Sequence, residues 1–169
     1  MYDWELPDDA LKAWVRLRQA SDAVDRVVET GLDKHDATLA QIDVLEVLSV
    51  SKGPLTPGAI ASYTFRQQHS ASDQLSRMSR AGLVKKTRSK KDQRVVRIKI
   101  QPKGQEALKQ TRQAGLGQAR RLLKSCLSDE EIRQLDGLLR KVRDRALREL
   151  GMKAEPLPET VNVPDSCPG

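Results

Sequence analysis

The side chains best suited to chemistry lie in one run, residues 67–100, QQHSASDQLSRMSRAGLVKKTRSKKDQRVVRIKI. Its first part reads as a helix with Gln68, His69, Ser72, Asp73, Ser76 and Arg77 along one face. These are short polar groups that donate and accept hydrogen bonds close to the backbone, a set that suits insertion into a groove. The second part is cationic. Residues 66–103 hold 12 Lys and Arg against 2 Asp and Glu, a balance of +10. The rest of the chain has 18 basic and 21 acidic residues, or −3, so the whole net charge of +7 resides in this one segment. A solvated charged face is the ordinary reading of a basic run. A density this high on a helix followed by a hairpin is the footprint of a polyanion-binding surface.

Other chemistries find little support. The Ser, Asp and Glu residues form no nucleophile–base constellation, so no catalytic residue is assigned and the chain is read as no enzyme. The two histidines, His35 and His69, fall in different helices. The two cysteines, Cys126 and Cys167, have neither CxxC nor metal-ligand spacing. No metal or cofactor is therefore expected. Cys126 ends an amphipathic helix at an apolar position, which predicts a buried, inert thiol. Cys167 falls in the C-terminal tail, where it is expected to be exposed. Aromatic residues make up 3% of the chain, too few for a base-stacking platform on single strands. No apolar run reaches the ~18 residues that cross a bilayer. The opening MYDWELPDD lacks the apolar core of a secretory signal, so a reduced, cytoplasmic setting is expected.

Six helices and one hairpin are needed to position the polar face. Residues 7–31 read as a long helix: Pro7 suits a first turn, Asp8 and Asp9 complement the dipole, and Leu11, Trp14, Val15, Leu17, Val24, Val27 and Val28 recur at helical spacing. Residues 38–49 open on a capping box, Thr38 with Gln41, and are apolar on more than one side, which predicts deep burial. Thr56 and Pro57 start a short third helix. A connection through Thr64 and Phe65 leads to the fourth, 67–81, with Ala71, Leu75 and Met78 inward and Gly82 ending it. Strands are predicted at 83–88 and 94–100, the second from the alternation of Val96, Ile98 and Ile100 with Arg97 and Lys99. A fifth helix follows from Pro102 to about Cys126. The box Ser128–Glu131 opens a sixth, striped with Ile132, Leu135, Leu138, Leu139, Val142, Ala146 and Leu150, and Gly151 closes it. Residues 151–169 carry four prolines and little apolar content and read as a disordered tail.

Helix, short helix, turn, amphipathic helix, basic hairpin is the order of a winged helix-turn-helix. The major groove of B-DNA admits one helix, and the hairpin reaches the neighbouring minor groove, where the negative potential draws an arginine. The fold class is thus mainly α with a small β-hairpin wing. Residues 38–108 resemble the MarR family of bacterial transcriptional regulators. The resemblance is carried by the T-x-x-Q opening of the second helix, GPLT before the third, SxxLSRMSRAGLVKK through the fourth, and the D-x-R wing in KKDQRVVRIKIQPKGQEAL. The flanking helices extend it to residues 8–150.

The resemblance implies a homodimer on a pseudo-palindromic double-stranded operator, usually repressing nearby genes and released by a ligand or an oxidant. It implies a single domain over 1–150, with 8–35 and 102–150 as dimerisation helices and 38–100 as the DNA-binding winged lobe. The two long apolar stripes at opposite ends of the chain favour a dimer independently. Carried onto this chain, the base-reading face comprises Gln67, Gln68, His69, Ser70, Ser72 and Asp73, and Gln67 or Gln68 suits bidentate pairing with adenine. Arg77, Arg66 and Lys86 suit phosphates. Arg94 takes the wing position that enters the minor groove, Asp92 orients the wing by pairing with a neighbouring arginine, and Arg88, Lys90 and Lys91 surround it. The chain departs from the family pattern at Phe65, where a small turn residue is usual, at Gln67, where Ser often caps, and at Asp73, commonly basic or neutral. Two other readings stay open: a winged-helix module docking an acidic protein, and a thiol redox switch on the same DNA-binding body.

Overall fold

The computed structural model describes residues 6–32, 37–89 and 92–152. Among them the order is α1 Asp9–Leu32, α2 Leu39–Val50, α3 Pro57–Tyr63, α4 Gln68–Arg80, β1 Val84–Arg88 and β2 Val96–Ile100. A continuous helical run over 102–126, here α5, and a last helix, α6 Asp129–Glu149, complete it. The mainly helical winged helix-turn-helix expected from the sequence is the fold observed. The expected tail lies outside the described residues beyond Met152, and His35, Lys90, Lys91 and Cys167 also lie outside them.

Local chemistry sets the boundaries. Asp8 caps α1, its Oδ1 accepting the Leu11 N–H at 2.8 Å. Both capping boxes form: Thr38 Oγ1 accepts the Gln41 N–H while Gln41 Oε1 accepts that of Thr38, and Ser128 and Glu131 repeat the arrangement. Thr56 Oγ1 accepts the Ala59 N–H at 3.1 Å ahead of Pro57. Gly82, at φ 76°, closes α4: its N–H reaches the Ser79 carbonyl and the next N–H, of Leu83, reaches Met78. That left-handed step turns the chain from the fourth helix directly into the wing.

The core sits between α2, α3, α4, the wing and the start of α5. Val44, Leu45, Leu48, Ile60, Leu75, Met78, Val84, Ile98 and Leu108 form one buried cluster. Each large member contributes about 1.5–3 kcal/mol by burial. Gly104 lets α5 approach this core, since a Cβ there would stand 2.2 Å from the Leu83 carbonyl oxygen. The wing is tied in by a contact that the sequence reading lacks. Leu55 pairs with Ile98 in an antiparallel bridge, with N···O distances of 3.1 and 2.7 Å. The segment between α2 and α3 thus forms a third edge of the hairpin.

The long helices differ from expectation in two respects. First, α5 is not uniformly α-helical: Pro102–Thr111 and Gly117–Cys126 are joined by a π-helical turn, Arg112–Leu116. The turn widens the helix where Gly115 meets Val28 and Leu32 of α1, whose methyls a Cβ would approach to 3.2–3.3 Å. Second, the apolar stripe of α1 is mostly uncovered: Val28 and Leu32 are buried, while Leu11, Trp14 and Leu17 are exposed. α1 packs on α5 and its π turn, and Val28 and Leu32 near its C-terminal end meet Gly115 there. α6 makes slight contact with the rest of its own chain and buries Leu147 alone.

Candidate nucleic-acid interface

α4 packs Ala71, Gln74, Leu75 and Met78 inward, so its remaining faces are set by helical geometry. Gln67, Gln68, His69, Ser70, Asp73 and Arg77 are exposed, and Ser72 is half-buried. The helix begins at Gln68; Gln67 occupies the N-cap position in extended conformation and makes no side-chain cap bond. The amides of the first turn are therefore not consumed by a capping side chain.

Two of the expected phosphate ligands are held in place by the scaffold. Arg77 Nη2 donates to Gln74 Oε1 at 2.9 Å, which also explains how the buried Gln74 is satisfied. Lys86 Nζ donates to Ser76 Oγ at 2.8 Å, bridging β1 to α4. Arg66 departs from expectation. It is half-buried, and its Nη2 lies 3.4 Å from Asp43 Oδ2 on α2. Its Nε is fully enclosed with no hydrogen-bond partner. Arg66 thus belongs to the joint between α2 and the turn more than to the outer surface. Burial pushes the Asp43 carboxyl above its ordinary value, and the Arg66 hydrogen bond and charge only partly oppose this.

The wing carries its charge outward. Along β1 only Val84 is buried, and Lys85, Lys86, Thr87 and Arg88 are exposed. The register pairs Lys85 with Lys99 and Thr87 with Arg97, which places three cations on one face of the hairpin. Like charges directly opposite each other oppose pairing, so this face gains from a counter-charged partner. The sequence reading did not single out this trio, because alternation gives the face of each strand but not the register between strands. At the tip, Arg94 and Arg88 are exposed. Asp92 orients the turn, but through the backbone rather than through a guanidinium: its Oδ1 accepts the Arg94 N–H at 2.9 Å. Lys90 and Lys91 lie outside the described residues.

One residue of the helix-turn-helix is strained. Phe65, between α3 and α4, has φ 52° and is the one non-glycine residue with positive φ among those described. For an L residue with a Cβ this region costs about 1 kcal/mol or more. Its ring is 63% exposed.

Groups of His, Cys, Asp and Glu able to hold a metal are absent among the described residues. No described helix is long and apolar enough to cross a membrane. Cys126 corrects an expectation: it is exposed, its Sγ 3.4 Å from the Leu122 carbonyl oxygen, because α5 ends there with that side unpacked.

Comparison with known proteins bears on the same lobe. Residues 35–95 match the model of the MarR family. No curated protein matches the chain in sequence. Among solved structures, the fold resembles AbsC, a MarR family transcriptional regulator from Streptomyces coelicolor. Identity is 23% over 86% of this chain and 98% of that one, with a TM-score of 0.73. A mutant MarR from E. coli complexed with operator DNA gives 22% identity over 82% and 99% of the two chains, and a TM-score of 0.73. An organohalide sensing transcriptional regulator bound to 2,4-dichlorophenol gives 23% over 87% and 90%, and a TM-score of 0.71.

Proposed function

We propose that this MarR family winged-helix regulator binds double-stranded DNA sequence-specifically as a homodimer and represses nearby genes until a signal releases it. The observation that carries the reading is the joint exposure of a polar helix start, Gln67–Gln68–His69–Ser70, and a cationic wing on one compact lobe. The first suits base edges in the major groove and the second suits the adjacent phosphates and minor groove. Arg77, Lys86, Arg88 and Arg94, with Lys90 and Lys91, supply the electrostatic part. Arg66 stays with the scaffold. The relative complexed with operator DNA supports the docking mode, and the ligand-bound relative supports a small-molecule effector as the releasing signal. The same reading makes the chain a non-enzymatic, cytoplasmic protein.

The second copy is argued from uncovered surface. Leu11, Trp14 and Leu17 of α1 and Leu135, Leu138, Leu139 and Val142 of α6 are exposed in one chain. Exposed apolar faces of that kind on two helices of one chain mark interface surface. A two-fold dimer also turns two modest half-site contacts into one tight one.

The test is fluorescence anisotropy of the full chain against duplexes tiled across its own upstream region at two salt concentrations. A discrete site of inverted half-sites, weakening steeply with salt, is expected. Uniform weak binding to every duplex would sink the specific-regulator reading. A thiol-responsive version gains some support from the exposed Cys126. Unchanged operator affinity after oxidation would remove it.

A further inference from the structure

Phe65 occupies a turn that does not require it. The Phe65 N–H donates to the Ser62 carbonyl at 3.2 Å and the Arg66 N–H to the Ala61 carbonyl at 2.9 Å. These are the bonds of a helix end completed by a left-handed residue, the place glycine fills without strain. Gly82 fills that place at the end of α4. The aromatic ring neither makes the turn nor fills the core, since it is 63% exposed. Its surroundings are fixed on both sides. Arg66 is paired with Asp43, and Gln67, the N-cap of α4, lies two residues on, within roughly 7 Å of Cα separation. A strained, solvent-exposed apolar residue therefore stands in the turn two residues before the N-cap of the polar helix.

The geometry points to Phe65 as a DNA-contacting residue, its ring laid against apolar DNA surface at the edge of the major groove. This rests on the regulator reading above. Two apolar surfaces are available there, the thymine methyl and the face of the deoxyribose, and both accept a phenyl ring without hydrogen bonding. A second copy of the chain is the weaker occupant, because the apolar stripes that need one lie on α1 and α6. The exposed residues that follow Phe65 along the chain are the polar Gln67, Gln68 and His69. The contact adds affinity with no demand on phosphate charge, and on a thymine methyl it adds discrimination as well.

The experiment starts from the duplex that the wild-type protein selects from a random pool. Phe65→Gly and Phe65→Leu are then measured on that duplex across a salt series, together with thermal melting of each protein. Phe65→Gly is expected to melt at the same or a higher temperature, to keep the salt slope, and to bind about tenfold more weakly. Phe65→Leu recovers part of the loss. Thymine-to-uracil replacement, one position at a time, separates the two surfaces. A swap that weakens the wild type but not Phe65→Gly assigns the methyl; a Phe65→Gly loss with no sensitive thymine assigns the deoxyribose. Binding by Phe65→Gly within about twofold of wild type overturns the proposal, as does a loss of affinity accompanied by a lower melting temperature. A wild-type protein that selects no duplex overturns the regulator reading itself, and this contact with it.

Discussion

The winged lobe and the terminal helices are made of similar sequence, amphipathic helices rich in Leu and charge, yet they meet their apolar faces differently. In the lobe, Ile60, Leu75, Met78 and Ile98 are fully buried by neighbours from the same chain. In the terminal region, Trp14 is 54% and Leu138 59% exposed, and α6 makes little contact with the other described residues. The lobe buries its apolar faces within one chain; the terminal helices leave much of theirs uncovered, as half of the proposed dimer would. The two are joined at the π turn of α5, where Arg112 Nε donates to Glu46 Oε1 at 2.6 Å, its Nη2 reaches Oε2, and a further bond runs to Ser49 Oγ at 3.2 Å. That bidentate pair ties α2 of the lobe to the helix that leads to α6.

The sharpest way to break the comparison is to charge the uncovered face. Leu138→Glu is expected to leave helix content and the lobe intact but to halve the mass seen in analytical ultracentrifugation. Loss of the paired half-sites then weakens operator binding by about 10²–10⁴-fold. A variant that stays dimeric would show that α6 does not form the interface. The converse substitution tests the other region. Leu75→Ala is expected to lower the unfolding free energy by about 3 kcal/mol in urea titration. Leu138→Ala, measured at concentrations where the chain is monomeric, should change it by no more than about 0.5 kcal/mol. Equal losses at the two sites would erase the distinction.

The same contrast explains what was legible in the sequence. Thr38, Thr56, Gly82 and Ser128 declare their helix ends because capping is local chemistry, settled within four residues. The wing strands and the inward face of α4 follow from periodicity, which a self-contained core enforces. The burial of α1 did not follow: Leu11, Trp14 and Leu17 have the spacing of a core stripe, and spacing does not say whether the covering surface lies in the same chain. The Leu55–Ile98 bridge, the Lys85–Lys99 register and the Arg66–Asp43 pair join residues far apart in sequence, and no local pattern encodes them. The π turn left a faint signal in the two glycines Gly115 and Gly117, which a uniform helix does not need. Cys126 is exposed for the same reason as the start of α1: an apolar position on a helix is no proof of a neighbour.

Within the lobe, the proposed recognition surface is expected to separate into affinity and specificity. Arg94→Ala is expected to weaken every duplex by about 1–2 kcal/mol and to flatten the salt dependence, since it removes a charge at the wing tip and no base-edge contact in the major groove. Gln68→Ala should leave the salt slope unchanged and relax the preference at one base pair. Competition assays on the selected duplex and single-base variants distinguish the two. An Arg94→Ala protein with unaltered affinity would move the wing out of the interface.

The smallest expected effect lies where the lobe meets the turn before α4. The Asp43 carboxyl is raised mainly by burial, with Asp25 and Glu46 adding to the shift and Arg66 opposing it. A carboxyl raised on folding binds its proton more tightly in the folded chain than in the unfolded one. Its stabilising contribution is therefore present below the unfolded value and is lost as pH rises through the folded value. At neutral pH the ionised group is a small liability, so Asp43→Asn, which keeps an acceptor for Arg66, should leave stability unchanged or raise it by less than about 1 kcal/mol. The gap should close in acid, below the ordinary carboxylate range, where both side chains are neutral. Urea titrations of the two proteins at neutral and acid pH measure it. A clear loss of stability in Asp43→Asn at neutral pH would mean that the Arg66 pair outweighs desolvation. Arg66 would then be held to α2 more firmly than the raised carboxyl implies, and the turn carrying Phe65 would be anchored by charge as well as by its backbone bonds.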